Sequence, residues 1–120
     1  MSHERTRVMI ESYGFGYIVI EGKRHTSDVI IFPDRVESHW LRQSGHRLVP
    51  EDLERVVTEE TRTLVVGTGH AELVRVPAQT LDYLRPAGFE VIVQRTGQAC
   101  ETYNCLAEQG PVIAALHLSC

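Results

Sequence analysis

Leu64-Val65-Val66-Gly67-Thr68-Gly69-His70 sets the architecture of this 120-residue chain. An apolar run that stops at glycine reads as a buried strand ending at a sheet edge. In open α/β sheets the crevice beyond such strand ends is where ligands bind. The stretch therefore predicts a strand over residues 64–66 and a candidate binding loop over 67–76.

The segments on either side extend the pattern. Upstream, Pro50 can occupy a first helical position, and Glu51, Asp52 and Glu54 suit the positive end of a helix dipole. Leu53, Val56 and Val57 then form an apolar stripe at helical spacing. Downstream, Pro77 opens a second helix with Ala78, Leu81 and Leu84 on one face, and Pro86 and Gly88 end it. Glu90-Val91-Ile92-Val93-Gln94 reads as a strand, and Thr96 as the N-cap of a third helix carrying Ala99, Tyr103, Leu106 and Ala107. After Gly110-Pro111, residues 112–118 form a last, mostly apolar strand. The order from residue 50 is α-β-α-β-α-β, which implies parallel strands with helices on both faces.

Residues 9–46 differ in character. Residues 9–12, Tyr17-Ile18-Val19-Ile20, Lys23-Arg24-His25 and Val29-Ile30-Ile31-Phe32 read as short strands joined by Gly14, Gly16, Glu21-Gly22 and Pro33-Asp34. Residues 36–46, with the single tryptophan Trp40, read as a short strand and loop. Residues 1–7 are polar, and the start over 1–8 is expected to be flexible. The expected fold is a single three-layer α/β/α domain over 1–120, with a mixed central sheet and a β-rich N-terminal addition.

Composition narrows the function classes. The apolar share is 42% and the charged share 23%, ordinary for a globular protein with one core. The net charge of −4 and the scattered basic residues argue against a nucleic-acid partner. No 18-residue apolar run is present, so membrane insertion is not expected. Cys100, Cys105 and Cys120 are too few and unevenly placed for a disulfide scaffold.

Several residues invite a chemical reading. Gly67-Thr68-Gly69-His70 is half of a phosphate-binding fingerprint. The third glycine is missing, because position 72 is glutamate, and no helix begins before about residue 77. The stretch is thus read either as a tight turn or as a small-anion or carboxylate site built from backbone N–H groups. His46 and His70 each follow a glycine and His117 lies in the last strand; none of them has metal-pair spacing. Cys100 and Cys105 sit about 140° apart around a helix, unlike a redox pair. Cys120 with His117 or His46 is the one nucleophile–base pairing that the sequence offers. Tyr13, Phe15, Tyr17 and Trp40 concentrate in the first third and read as core or as a contact face.

A set of segments together resembles a known family. They are Tyr13-Gly14-Phe15-Gly16 with Ile18 and Ile20-Glu21-Gly22; Asp28-Val29-Ile30-Ile31; Trp40-Leu41-Arg42 with Gly45-His46; Asp52-Leu53; Val66-Gly67-Thr68-Gly69; Gly88; Tyr103-Asn104 with Leu106; and Ala114-Ala115-Leu116-His117-Leu118 before Cys120. The pattern, spanning positions 10–120, is similar to the small domain family shared by the adipogenesis-associated domain-containing protein and the mitochondrial assembly factor of respiratory complex I. The resemblance implies a three-layer fold with a mixed central sheet. It supplies no catalytic residue and no cofactor, and its mitochondrial member implies assembly work through protein contacts. Without an Arg- and Ser-rich transit segment, the chain reads as a cytoplasmic, prokaryotic member.

Two functional expectations stand. One is a non-enzymatic binding or assembly-associated protein whose partners are other proteins or a second copy of itself. The other is a small-molecule or anion binder, or an enzyme, using Gly67, Thr68, Gly69 and His70 with His46 or His117 for acid–base chemistry. No catalytic residue, cofactor or metal is assigned.

Overall fold

The structure, a computed structural model, describes residues 8–119. The polar start, apart from Val8, and Cys120 lie outside the described residues, and with them the Cys120 pairing. The N-terminal part forms β1 (Ile10–Gly14), β2 (Tyr17–Ile20) and β3 (Lys23–His25), an antiparallel three-stranded sheet. β4 (Val29–Phe32) and β5 (Arg35–Ser38) follow. A 3-10 turn (Pro50–Leu53) leads into α1 (Glu54–Val57), then β6 (Thr63–Thr68), α2 (Ala78–Leu84), β7 (Glu90–Gln94), α3 (Thr96–Ala107) and β8 (Ile113–His117).

The central sheet has five strands in the order β5-β4-β8-β6-β7. β6 runs parallel to β7 and β8, whereas β4 is antiparallel to β8 and β5. This mixed pattern follows from the connections: hairpin-length links before residue 50, helical crossovers after it.

Strand alternation sorts the core into two layers. Val29, Ile31, Val65, Ala114 and Leu116 pack with Ile18, Ile20, Ala99 and Tyr103, so β1, β2 and α3 cover one face. Ile30, Phe32, Leu64, Val66, Ile113 and Ala115 pack with Leu53, Val56, Leu84 and Phe89, so α1 and α2 cover the other. The three-layer α/β architecture expected from the sequence is therefore present.

Three local expectations need correction. The strand expected over 64–66 runs from Thr63 to Thr68, so Gly67 and Thr68 pair within the sheet and the loop begins at Gly69. The helix expected from Pro50 is a 3-10 turn continued by a single α turn, short because Thr58 and Glu59 already turn the chain back, the Glu59 N–H bonding the Val56 carbonyl at 3.1 Å. Thr96 does not cap α3; Arg95 holds the N-cap position, with no side-chain cap bond. The Thr96 hydroxyl is used elsewhere. It donates to the His117 carbonyl at 2.6 Å and accepts the Gly69 N–H at 2.8 Å. One buried side chain thus joins the ends of β6 and β8 to the start of α3. Gly67 permits that approach, since a Cβ there would lie 2.8 Å from both Thr96 Oγ1 and Leu116 Cδ2.

Thr96→Val keeps the shape and strands two buried backbone groups. It is expected to cost about 2–3 kcal/mol in urea denaturation, while Thr96→Ser should cost under about 1 kcal/mol. Equal losses from the two variants would assign the effect to packing instead.

Candidate functional site

The ends of β6 and β8 and the start of β4 meet at one end of the sheet. Because Val29 pairs with Leu116 and Thr68 with His117, the register places Asp28 and Thr68 on either side of His117. All three share the strand parity of the face covered by α1 and α2.

Asp28 is the hub. Its Oδ2 lies 2.7 Å from His117 Nδ1 and accepts Arg42 Nη1 at 2.8 Å, while Oδ1 accepts the Leu118 N–H at 2.9 Å. A carboxylate only accepts, so the His117 proton sits on Nδ1, and Arg42 Nη2 donates to the Gly45 carbonyl at 3.0 Å. Burial alone would raise the Asp28 carboxyl, but the bonds from His117, Arg42 and Leu118 outweigh it and hold the group below its ordinary 3.8. The cluster is closed: His117 Nε2 and Arg42 Nε are buried, inaccessible to solvent, and have no hydrogen-bond partner among the described residues.

The same residues fix the loop over 39–48. Trp40 donates its backbone N–H to the Asp28 carbonyl at 3.0 Å, and the Arg42 guanidinium lies 5.2 Å from the Trp40 ring centre. The loop is tied in turn to residues 67–76 through Leu48 N–H to the Arg75 carbonyl at 2.9 Å and Arg75 N–H to the His46 carbonyl at 2.8 Å.

The sequence-based candidates divide. Gly67, Thr68, Gly69 and His117 come together at this strand end and are buried; His46 and His70 are exposed. The backbone donors expected to face an anion are used within the fold. Gly69 N–H bonds Thr96, His70 N–H reaches the Ser119 carbonyl at 3.4 Å, and the Thr68 hydroxyl donates to the Gln94 carbonyl at 3.1 Å. His70 turns outward instead, its ring 5.5 Å from that of Phe15 in an edge-to-face contact.

Asp28 and Arg42 were not among the sequence-based candidates. Both stand in segments that carry the family resemblance, but as single charges, one before an apolar strand and one two residues after the single tryptophan, and nothing in the sequence marks them as partners. The Asp28–His117 pair spans 89 residues, which spacing rules cannot detect. Cys100 is buried, and burial, with Glu101 adding, pushes its thiol up to about 12, so it stays protonated at neutral pH. Among the described residues no group of three or more His, Cys, Asp or Glu is placed to hold a metal ion. Nor is any helix among them long and apolar enough to cross a membrane.

These features define a mixed α/β/α domain whose strand-end crevice is filled by its own polar side chains. The chain belongs to the family described as protein of unknown function DUF498/DUF598, whose model matches residues 10–117. NADH dehydrogenase [ubiquinone] 1 alpha subcomplex assembly factor 3 of Homo sapiens is 32% identical over 109 residues, covering 88% of this chain and 58% of the relative. The Mus musculus protein of the same name is 33% identical over 110 residues, covering 90% and 58%. The chain thus spans less than two thirds of the length of these relatives. Among solved structures, conserved hypothetical protein PH1505 from Pyrococcus horikoshii OT3 superposes with a TM-score of 0.81 at 28% identity, covering 92% of this chain and 98% of that one. A protein from Bartonella henselae, titled an outer membrane protein, gives 0.81 at 29% identity, covering 98% and 99%.

The cluster makes a pH-resolved prediction. Asp28 titrates lower folded than unfolded, so its stabilisation is complete above 3.8 and is lost as pH falls through the folded value. Asp28→Asn should cost about 2–4 kcal/mol at neutral pH, because it leaves the Arg42 charge buried without its partner. In urea denaturation followed against pH, that gap should shrink once pH drops below 3.8. A gap unchanged at about pH 3 would contradict this assignment.

Proposed function

We propose that this chain acts by binding other proteins, as a cytoplasmic, assembly-associated factor, and performs no reaction of its own. The observation that carries this reading is the match to relatives named as assembly factors, which runs over 88–90% of this chain. The matched region is therefore this folded domain, and a role shared with those relatives would use its surface.

The surface supports the reading. Phe15 is 63% exposed and Leu73 50% exposed. Phe15 stands at the tip of the β1–β2 hairpin, which is pinned to the end of β8 by Gly16 N–H to the Leu118 carbonyl at 2.8 Å. His70 touches the Phe15 ring, and Leu73 follows in the same loop. Exposed aromatic and apolar side chains on a rigid mount suit a protein contact, since little ordering is needed on binding. A second copy of the chain is the alternative occupant of this tip.

Phe15→Asp combined with Leu73→Asp should leave the denaturation midpoint within about 0.5 kcal/mol of wild type, as surface changes do. Tagged wild-type chain should capture a protein from its native host that, once identified and purified, rebinds it directly. The double variant should lose about tenfold or more in affinity. Unaltered affinity, or no protein that rebinds when purified, would contradict the proposal.

A second reading, a small anionic ligand at the 67–76 loop and His117, is favoured by one observation. His117 Nε2 and Arg42 Nε are buried polar atoms without partners, and such atoms call for explanation. Inorganic phosphate titrated into labelled chain should then shift the Thr68, Gly69 and His117 amides saturably. Unmoved resonances would leave the protein-binding reading alone.

A further inference from the structure

A second concave surface lies away from the strand-end cluster. It is an open groove of about 750 Å³ between the end of β5, the segment 39–43 and the 3-10 turn with α1. We propose that this groove binds a basic segment of a partner polypeptide, one carrying an apolar side chain beside its cations. The proposal rests on the protein-binding reading above and gives it a second surface with a defined chemistry.

Charge is the first support. Four carboxylates line the groove, from Glu37, Glu51, Asp52 and Glu54, against the single guanidinium of Arg55. Two of the four are already used. Glu37 bonds Arg55 at 3.1 Å and Arg35 at 3.3 Å, and Asp52 accepts the N–H groups of Gln43 and Val49, each at 3.0 Å. Glu51 and Glu54 are exposed and have no ionic or hydrogen-bonded partner among the described residues. An incoming guanidinium would meet two uncompensated carboxylates and could compete with Arg55 for Glu37. A nucleic acid would meet charge of its own sign.

Apolar surface is the second support. Leu41 lines the groove and is 84% exposed, more than any other large apolar side chain described. Trp40 lies beside it, half-buried. A leucine left in water beside a concave wall gains on being covered, and a simple polyamine would not cover it.

The third support is rigidity. The Trp40 indole Nε1 donates to the Asp52 carbonyl at 3.0 Å, tying the floor to the wall formed by the 3-10 turn. His39 sits in the left-handed region, with φ 59°, held by its N–H to Ser27 Oγ at 3.0 Å. A groove braced in this way has little to order when it is filled.

The test is an amide NMR titration of the full chain with a capped Arg–Leu–Arg–Arg–Leu–Arg peptide, beside a Glu–Leu–Glu–Glu–Leu–Glu control. The basic peptide should give saturable shifts confined to residues 37–43 and 50–55, weakening as salt is raised. E51Q/E54Q and Leu41→Ser should each reduce the affinity by about tenfold while leaving the fold unchanged. Equal shifts from the acidic control, shifts centred elsewhere, no shifts, or unaltered affinity in both variants would overturn the proposal. A chain that still rebinds its purified partner through Phe15 and Leu73 but ignores the basic peptide overturns the groove alone. Loss of both kinds of binding overturns the protein-binding reading with it.

Discussion

A carboxylate taken out of water must be met by donors or it will not stay there. Asp28 is met by three, from His117, Arg42 and the Leu118 amide, and its own carbonyl takes the Trp40 N–H. This one requirement joins the first residue outside β4 to the end of β8 and to the loop over 39–48. Through Arg75, the same loop holds residues 67–76. The mixed sheet depends on it most where β4, the antiparallel strand, meets the parallel set. Thr96 makes a matching tie on the other side, between β6, β8 and α3.

These ties bear on function. In open α/β domains the crevice beyond the strand ends usually stays free for a ligand. Here it is occupied by the chain's own side chains, and the glycine turn spends its N–H groups on Thr96 and Ser119. What remains available is outer surface: the hairpin tip with Phe15, and the groove over Trp40 and Leu41. Both are mounted on the fixed strand ends, one through Leu118 and the other through the Asp28–Trp40 bond. The knot thereby presents two surfaces at a set geometry, which suits a protein that works by contact.

Much of the fold was legible in the sequence because it rests on local signals. The apolar runs at 29–32, 64–66 and 112–118 and the proline and glycine punctuation at Pro50, Pro77, Gly88 and Gly110 mark the elements to within a few residues. The length of α1 was less legible, since Leu53, Val56 and Val57 give the same stripe for one turn as for three. Thr96 misled for a physical reason: a threonine at a helix start has the right chemistry for a cap, and only tertiary structure offers it a better acceptor in His117. The candidate site was legible in part. Gly67 to Gly69 and His117 stand at the strand end as expected, but the meeting of Asp28 with His117 and Arg42 depends on long-range pairing. The groove was not legible, because Trp40 read as core or as a contact face and Glu51, Asp52 and Glu54 as acids at a helix start, and only the tertiary fold sets them around one concavity.

The central claim is that the strand ends form a fixed knot tied by the chain's own side chains. Native-state hydrogen exchange tests it most directly, through the amides of Gly69 and Leu118, which donate to Thr96 and Asp28. Both should exchange only through global unfolding, with an opening free energy equal to the stability measured by denaturant. Exchange of either amide through a local opening several kcal/mol below that value would contradict the account, for the strand ends would then be free to open to a ligand.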